Sequence, residues 1–145
     1  MTIREEMELI NACISRQSEL YSEWARRQGM SYNAMMVLYA LDREHARTQK
    51  EISSWWLMPK QTVHTVIKDL EGRGLVTLEA GRDQKEKRIS FTPAGEQFTR
   101  LHLQGLYEME ERALEAMTPA ARAGLVQGNR AFTEALEREV RRGSA

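Results

Sequence analysis

Along the first thirty residues the apolar positions Ile3, Met7, Ile10, Ile14, Tyr21 and Trp24 recur at steps of three, four and seven, interrupted only at Gln17. That spacing gathers them on one face of a helix with a heptad-like stripe, and Gly29 ends it. Ser31 is a plausible cap for a second helix. There Met35, Met36, Leu38, Tyr39 and Leu41 carry apolar character most of the way round, as in an element buried on several sides. Thr48-Gln49-Lys50-Glu51 has the form of a capping box, hydroxyl and carboxylate satisfying opposite backbone donors, and opens a short helix ending near Trp56. Pro59 falls where a proline is welcome, in the first turn of another helix, which Gly72 or Gly74 can close from the left-handed position.

The pattern then changes period. Leu75-Val76-Thr77-Leu78 and Arg88-Ile89-Ser90-Phe91 flank a polar stretch from Glu79 to Lys87, with Gly81 available for the turn, and predict a long β-hairpin. Thr92-Pro93 and Thr118-Pro119 repeat one device, a threonine cap followed by proline at the first helical position. They open two more helices, roughly 93–117 and 119–141. The expected fold is mostly α with a small β-hairpin wing. A pair of short helices followed at once by a hairpin is the winged helix-turn-helix arrangement.

The helix after Pro59 has two contrasting faces. Val63, Val66, Ile67 and Leu70 form a core-facing stripe. Opposite them stand Gln61, Thr65 and Lys68, with His64 to one side and Lys60 and Thr62 at the N-terminal end. A helix entering the major groove needs this composition. Glutamine pairs bidentately with adenine, threonine offers a methyl group to thymine, and lysine reaches guanine or phosphate. The hairpin tip, Arg82-Asp83-Gln84-Lys85-Glu86-Lys87-Arg88, carries four basic residues in seven, able to track phosphates or enter a minor groove. Asp83 is the odd member, an acid placed to brace Lys85. A hydrophilic loop that only keeps an edge strand soluble has the same composition.

Charge supports this reading by its distribution, since the formal net charge is zero. Residues 1–45 sum to −2, residues 46–90 to +3 and residues 91–145 to −1. Local surplus, not overall balance, is what a DNA-binding face needs. The acidic N-terminus lacks the basic start and apolar stretch of a signal peptide, and a cytoplasmic location is expected. The single cysteine, Cys13, excludes an intramolecular disulfide and a multi-cysteine zinc site. With Arg16 as its one nearby cation, Cys13 is read as structural rather than redox-active. His45, His64 and His102 lack the spacing of a helical metal site, so neither metal nor cofactor is expected. No phosphate-cradling glycine loop and no nucleophile beside a base is present, which excludes the common enzyme classes.

At residues 31–95 the sequence resembles the MarR family of winged helix-turn-helix transcriptional regulators. Asp83-Gln84-Lys85 followed by Ile89-Ser90-Phe91-Thr92-Pro93-Ala94-Gly95 resembles the family's Asp-x-Arg and the strand ending Leu-Thr-x-x-Gly. Pro59-Lys60-Gln61-Thr62-Val63 and Leu70-Glu71-Gly72-Arg73-Gly74-Leu75-Val76 resemble its recognition helix and the exit from it. Lys85 replaces the usual arginine and keeps the charge without the planar fork, which favours phosphate over groove-floor contact.

The resemblance implies an obligate homodimer joined through its first and last helices, with a small-molecule pocket between that junction and the DNA-binding lobes. It divides the chain into a helical dimerisation region, residues 1–30 and 93–145, and a DNA-binding lobe, residues 31–92. Separately, Leu125, Phe132, Leu136 and Val140 give the last helix an apolar stripe that a small winged domain cannot cover. Trp24, Tyr32, Met35, Met36, Tyr39 and Trp55 are candidate walls for an aromatic or phenolic effector, although core packing explains such residues equally well. The expected function is ligand-responsive repression at a pseudo-palindromic operator. Gln61, Thr62, His64, Thr65 and Lys68 would approach bases; Lys60, Arg73, Arg82, Lys85, Lys87 and Arg88 would hold the backbone or groove edges. A winged-helix interaction module without DNA is the competing reading.

Overall fold

A computed structural model describes residues 1–43, 46–80 and 86–143 of the chain. The elements run α1 (Ile3–Arg27), α2 (Tyr32–Asp42), α3 (Gln49–Trp56), α4 (Lys60–Gly72), β1 (Val76–Ala80), β2 (Lys87–Phe91), α5 (Pro93–Glu115) and α6 (Pro119–Arg142). Mostly helical architecture with a two-stranded antiparallel wing is what the sequence pattern predicted. The chain divides into two compact units, Met1–Gln104 and Gly105–Ala145, with the boundary inside α5.

In the first unit α1 packs on α2, α2 on α3 and α4, and α4 on β1. Met35, Val37, Ile52, Val63, Ile67 and Ile89 are fully enclosed or nearly so, which places the core beneath α4 and the hairpin. The helix ends follow their caps closely. Ser31 accepts from the Ala34 N–H and Thr118 from the Ala121 N–H. Thr48 makes half of the expected capping box. Its hydroxyl accepts from the Glu51 N–H, but it is this hydroxyl, not the Thr48 N–H, that lies within reach of the Glu51 carboxylate. The complete box is at Thr2 and Glu5, where hydroxyl and carboxylate each take the other's backbone N–H.

Pro59 is the residue preceding α4 rather than its first, and Gly74, not Gly72, takes the left-handed position beyond it, at φ 73°. The strands pair Val76 with Phe91, Leu78 with Ile89 and Ala80 with Lys87. The Ile89 N–H also donates to the Arg47 carbonyl at 2.7 Å, tying the wing to the segment before α3.

Where the wing meets α5, one threonine makes two bonds. Thr92 Oγ1 donates to the Gly74 carbonyl at 2.7 Å and accepts from the Gly95 N–H at 3.0 Å. The Thr92 N–H donates to the Leu75 carbonyl. Gly95 lies against that same carbonyl so closely that a Cβ would overlap its oxygen.

The turn between α3 and α4 is unusual in its chemistry. Leu57 adopts φ 50°, ψ 35°, the left-handed conformation normally left to glycine, and its side chain is 90% exposed. A non-glycine residue there costs about 1–2 kcal/mol, and the leucine recovers little by packing. Leu57→Gly is therefore expected to stabilise the protein. The gain should be about 0.5–1 kcal/mol after subtracting glycine's greater freedom in the unfolded chain. A higher urea midpoint with unchanged slope is the corresponding measurement.

The apolar stripes at the two ends of the chain are open. Ile3, Leu9, Ile10 and Ile14 on α1 are each at least 44% exposed. In the second unit α6 has no buried residue, and Leu125, Phe132, Leu136 and Val140 are all exposed.

Candidate nucleic-acid interface

Helix α4 is oriented by its apolar stripe. Val63, Ile67 and Leu70 are buried and Val66 is half-buried, so the residues opposite them must face outward. Gln61, His64, Thr65 and Lys68 are exposed and Thr62 is half-buried. The Thr65 hydroxyl donates to the Gln61 carbonyl at 2.9 Å, which uses its proton within the helix. Lys68 Nζ lies 3.4 Å from Glu71 Oε1 in an exposed pair of little energetic consequence.

One row of α4, Lys60, His64 and Lys68 at successive steps of four, faces the hairpin across a cleft of about 360 Å³. The other walls are Gln49 and Lys50 at the start of α3, Leu78 on β1, Glu86 just before β2 and Lys87 at its start. Among the described residues, four lysines and a histidine thus converge on one cleft whose walls include a single acid, Glu86. Gln49 and Lys50 were not among the sequence candidates. The cap at Thr48 was visible, but nothing local indicates that the turn it opens comes to rest beside the recognition helix.

The strand alternation separates two neighbouring cations. Lys87 shares the face of Ile89 and lines the cleft, whereas Arg88 lies on the other face, opposite Glu79. Arg73 is placed away from the cleft. It follows the last turn of α4, 3.7 Å from Asp69, with its guanidinium 4.8 Å from the centre of the Phe98 ring. Its position ties the end of α4 to α5. Arg82, Asp83 and Lys85 lie outside the described residues.

Of the six residues proposed as effector walls, Tyr32, Met35, Met36 and Tyr39 all lie on α2. Met35 and Met36 are buried in the core, Trp24 and Tyr39 are half-buried, and Trp55 is 44% exposed. It is Trp56 that turns inward, edge-on to Tyr39 with ring centres 5.7 Å apart. Its indole N–H is buried without an acceptor among the described residues. Tyr32 lines a broad, shallow cleft in the first unit with Ser15, Ser18, Ser22, Ser31, Glu19 and Arg26. Cys13 is an exposed free thiol on α1. No group of three metal-ligating side chains occurs among the described residues, and no described helix is long and apolar enough to cross a membrane.

A capped helix, a tight turn, an outward-facing polar helix and a basic hairpin in this order define a winged helix-turn-helix protein. Residues 28–88 match the model of the MarR family. A MarR-family regulator from Neisseria meningitidis is 27% identical, with 95% of this chain and 98% of that one covered and a TM-score of 0.78. FabT of Streptococcus pneumoniae, solved in complex with DNA, is 18% identical over 94% of this chain and 98% of its own, with a TM-score of 0.68. BpsR of Bordetella bronchiseptica, whose DNA binding is regulated by 6-hydroxynicotinic acid, is 17% identical over 89% and 98%, with a TM-score of 0.71. No curated protein matches the chain. Over residues 28–88 the chain thus matches the MarR family of DNA-binding transcriptional regulators, and over nearly its full length it shares the fold of the Neisseria regulator.

Proposed function

We propose that the protein is a homodimeric repressor, cytoplasmic like its DNA target, that binds a pseudo-palindromic operator and is released by a small aromatic or phenolic effector. The observation that carries the DNA-contact assignment is the outward face of α4 standing beside a cleft with four lysines on its walls. In this reading Gln61, Thr62, His64, Thr65 and Lys68 meet base edges. Lys50, Lys60 and Lys87 hold phosphates, helped by Arg82, Lys85 and Arg88 of the wing, with Asp83 bracing Lys85. Residues 1–30 and 93–145 supply the dimer contacts, and residues 31–92 form the DNA-binding lobe. Twofold symmetry would set two recognition helices about 34 Å apart, one turn of the duplex. The exposed apolar stripes on α1 and α6 support dimerisation, because isolated helices do not leave such faces in water. BpsR supplies the precedent for a hydroxylated aromatic acid as effector. The half-buried Trp24, Tyr32 and Tyr39 are where the walls of its pocket are sought first.

A gel shift against the gene's own promoter region tests the proposal, run as a salt series and then with hydroxylated aromatic acids. Specific binding should weaken with salt at a slope of about −0.9 per phosphate neutralised. Lys60→Ala should weaken every sequence alike and flatten that slope by about one unit per site. Gln61→Ala should leave the slope alone and lose about 1–3 kcal/mol of discrimination at particular base pairs. Identical behaviour of the two variants would remove the division between backbone and base contacts. Absence of any duplex binding at low salt would leave the interaction-module reading in its place.

A further inference from the structure

His64 occupies the middle of the row on α4, one turn from Lys60 on one side and one turn from Lys68 on the other, and its side chain is exposed in the cleft. Among the described residues the charged groups facing it are Lys50 from α3, Lys60 and Lys68 from α4, Glu86 just before β2 and Lys87 at its start; Gln49 and Leu78 are the other walls. Part of the Lys68 charge is already answered by Glu71. Histidine is the side chain whose ordinary charge change falls between about pH 5 and 8.

Acceptor atoms of the duplex entering the cleft, on the base edge His64 meets and on the phosphates held by the lysines beside it, favour the charged imidazole for two reasons. Only the imidazolium donates from both ring nitrogens, and only it adds a positive charge opposite an electronegative duplex. The complex therefore holds more protons at this position than the free protein does. By linkage, whatever binds more protons is strengthened by adding them.

From this geometry we infer that DNA binding by the protein is proton-coupled through His64, so that affinity for the duplex rises as the pH falls through the histidine range. The inference rests on the DNA-binding reading of the cleft and adds a regulator to it. It requires no effector and no change of fold, only a proton taken up as phosphate is engaged. The other described histidine, His102, is stacked on Phe98 with ring centres 4.0 Å apart and bonded through Nδ1 to the Phe98 carbonyl, and it is not among the cleft walls.

The test is fluorescence anisotropy with a labelled duplex of mixed sequence, at low and constant ionic strength, so that the sequence-independent phosphate contacts dominate. Between about pH 6 and about pH 8 the wild-type Kd should rise roughly tenfold, the equivalent of one unit of differential proton affinity. His64→Gln should lose this dependence, its Kd, whatever its absolute value, staying level between about pH 6 and about pH 8. His64→Arg, permanently charged, should also be flat but should bind more tightly than the wild type at the upper end. Calorimetry in two buffers of different ionisation enthalpy should count fewer protons taken up by the glutamine variant. A pH dependence that survives in His64→Gln, or a wild-type affinity indifferent to pH, overturns the inference while leaving DNA binding intact. Absence of binding at both pH values overturns the DNA reading itself, and the two failures are told apart by the presence of any complex.

Discussion

Gly95→Ala is expected to destabilise the protein by about 3 kcal/mol or more, at the upper end of what overpacking costs. The added methyl group would fall on the Leu75 carbonyl oxygen, which is backbone and cannot rotate aside as a flexible side chain would. That carbonyl already accepts the Thr92 N–H, and the Gly95 N–H is bonded to the Thr92 hydroxyl. Relief therefore requires the first turn of α5 to lift away from the base of the wing, at the cost of bonds on both sides. Urea denaturation followed by circular dichroism reads the loss directly. A midpoint within experimental error of the wild type would mean that α5 does not approach Leu75 this closely.

The second large effect concerns assembly. Phe132→Glu with Leu136→Glu is expected to yield a folded monomer whose operator affinity is lower by about a hundredfold or more, the avidity lost when two linked sites become one. Both side chains are exposed on the protomer, at 41% and 51%, so two carboxylates there meet water and the helix should persist. In a dimer the same carboxylates would be desolvated against an apolar partner face, which strongly opposes association. Sedimentation velocity gives the mass and a gel shift the affinity. If the variant remains a dimer and binds as before, α6 is not part of the junction.

Much of this architecture was legible because caps and periodicity are local. Ser31, Thr48, Thr92 and Thr118 each stand at the start of a helix, and the stripe Val63, Ile67, Leu70 fixed which side of α4 turns outward. What could not be read was set by tertiary packing. Trp55 and Trp56 are equivalent as letters, and it is the second, one turn beyond the buried Ile52, that turns inward against Tyr39. Lys87 and Arg88 seemed interchangeable until the strand phase, pinned by Ile89 in the core, sent them to opposite faces. The approach of Arg73 to Phe98, twenty-five residues along the chain, leaves no trace in the pattern. The turn at Leu57 was invisible for the opposite reason: the residue that ordinarily signals it is missing.

The double bonding of the Thr92 hydroxyl has a mechanical consequence. It pins the exit of the recognition helix and the entrance of α5 to one oxygen atom, while Ile89 and Arg47 pin the stem of the wing to the approach of α3. The recognition helix and the stem of the wing are thereby tied to the same first turn of α5. A displacement of that turn would carry both with it, so a bound duplex would be gripped or dropped as a whole rather than loosened contact by contact.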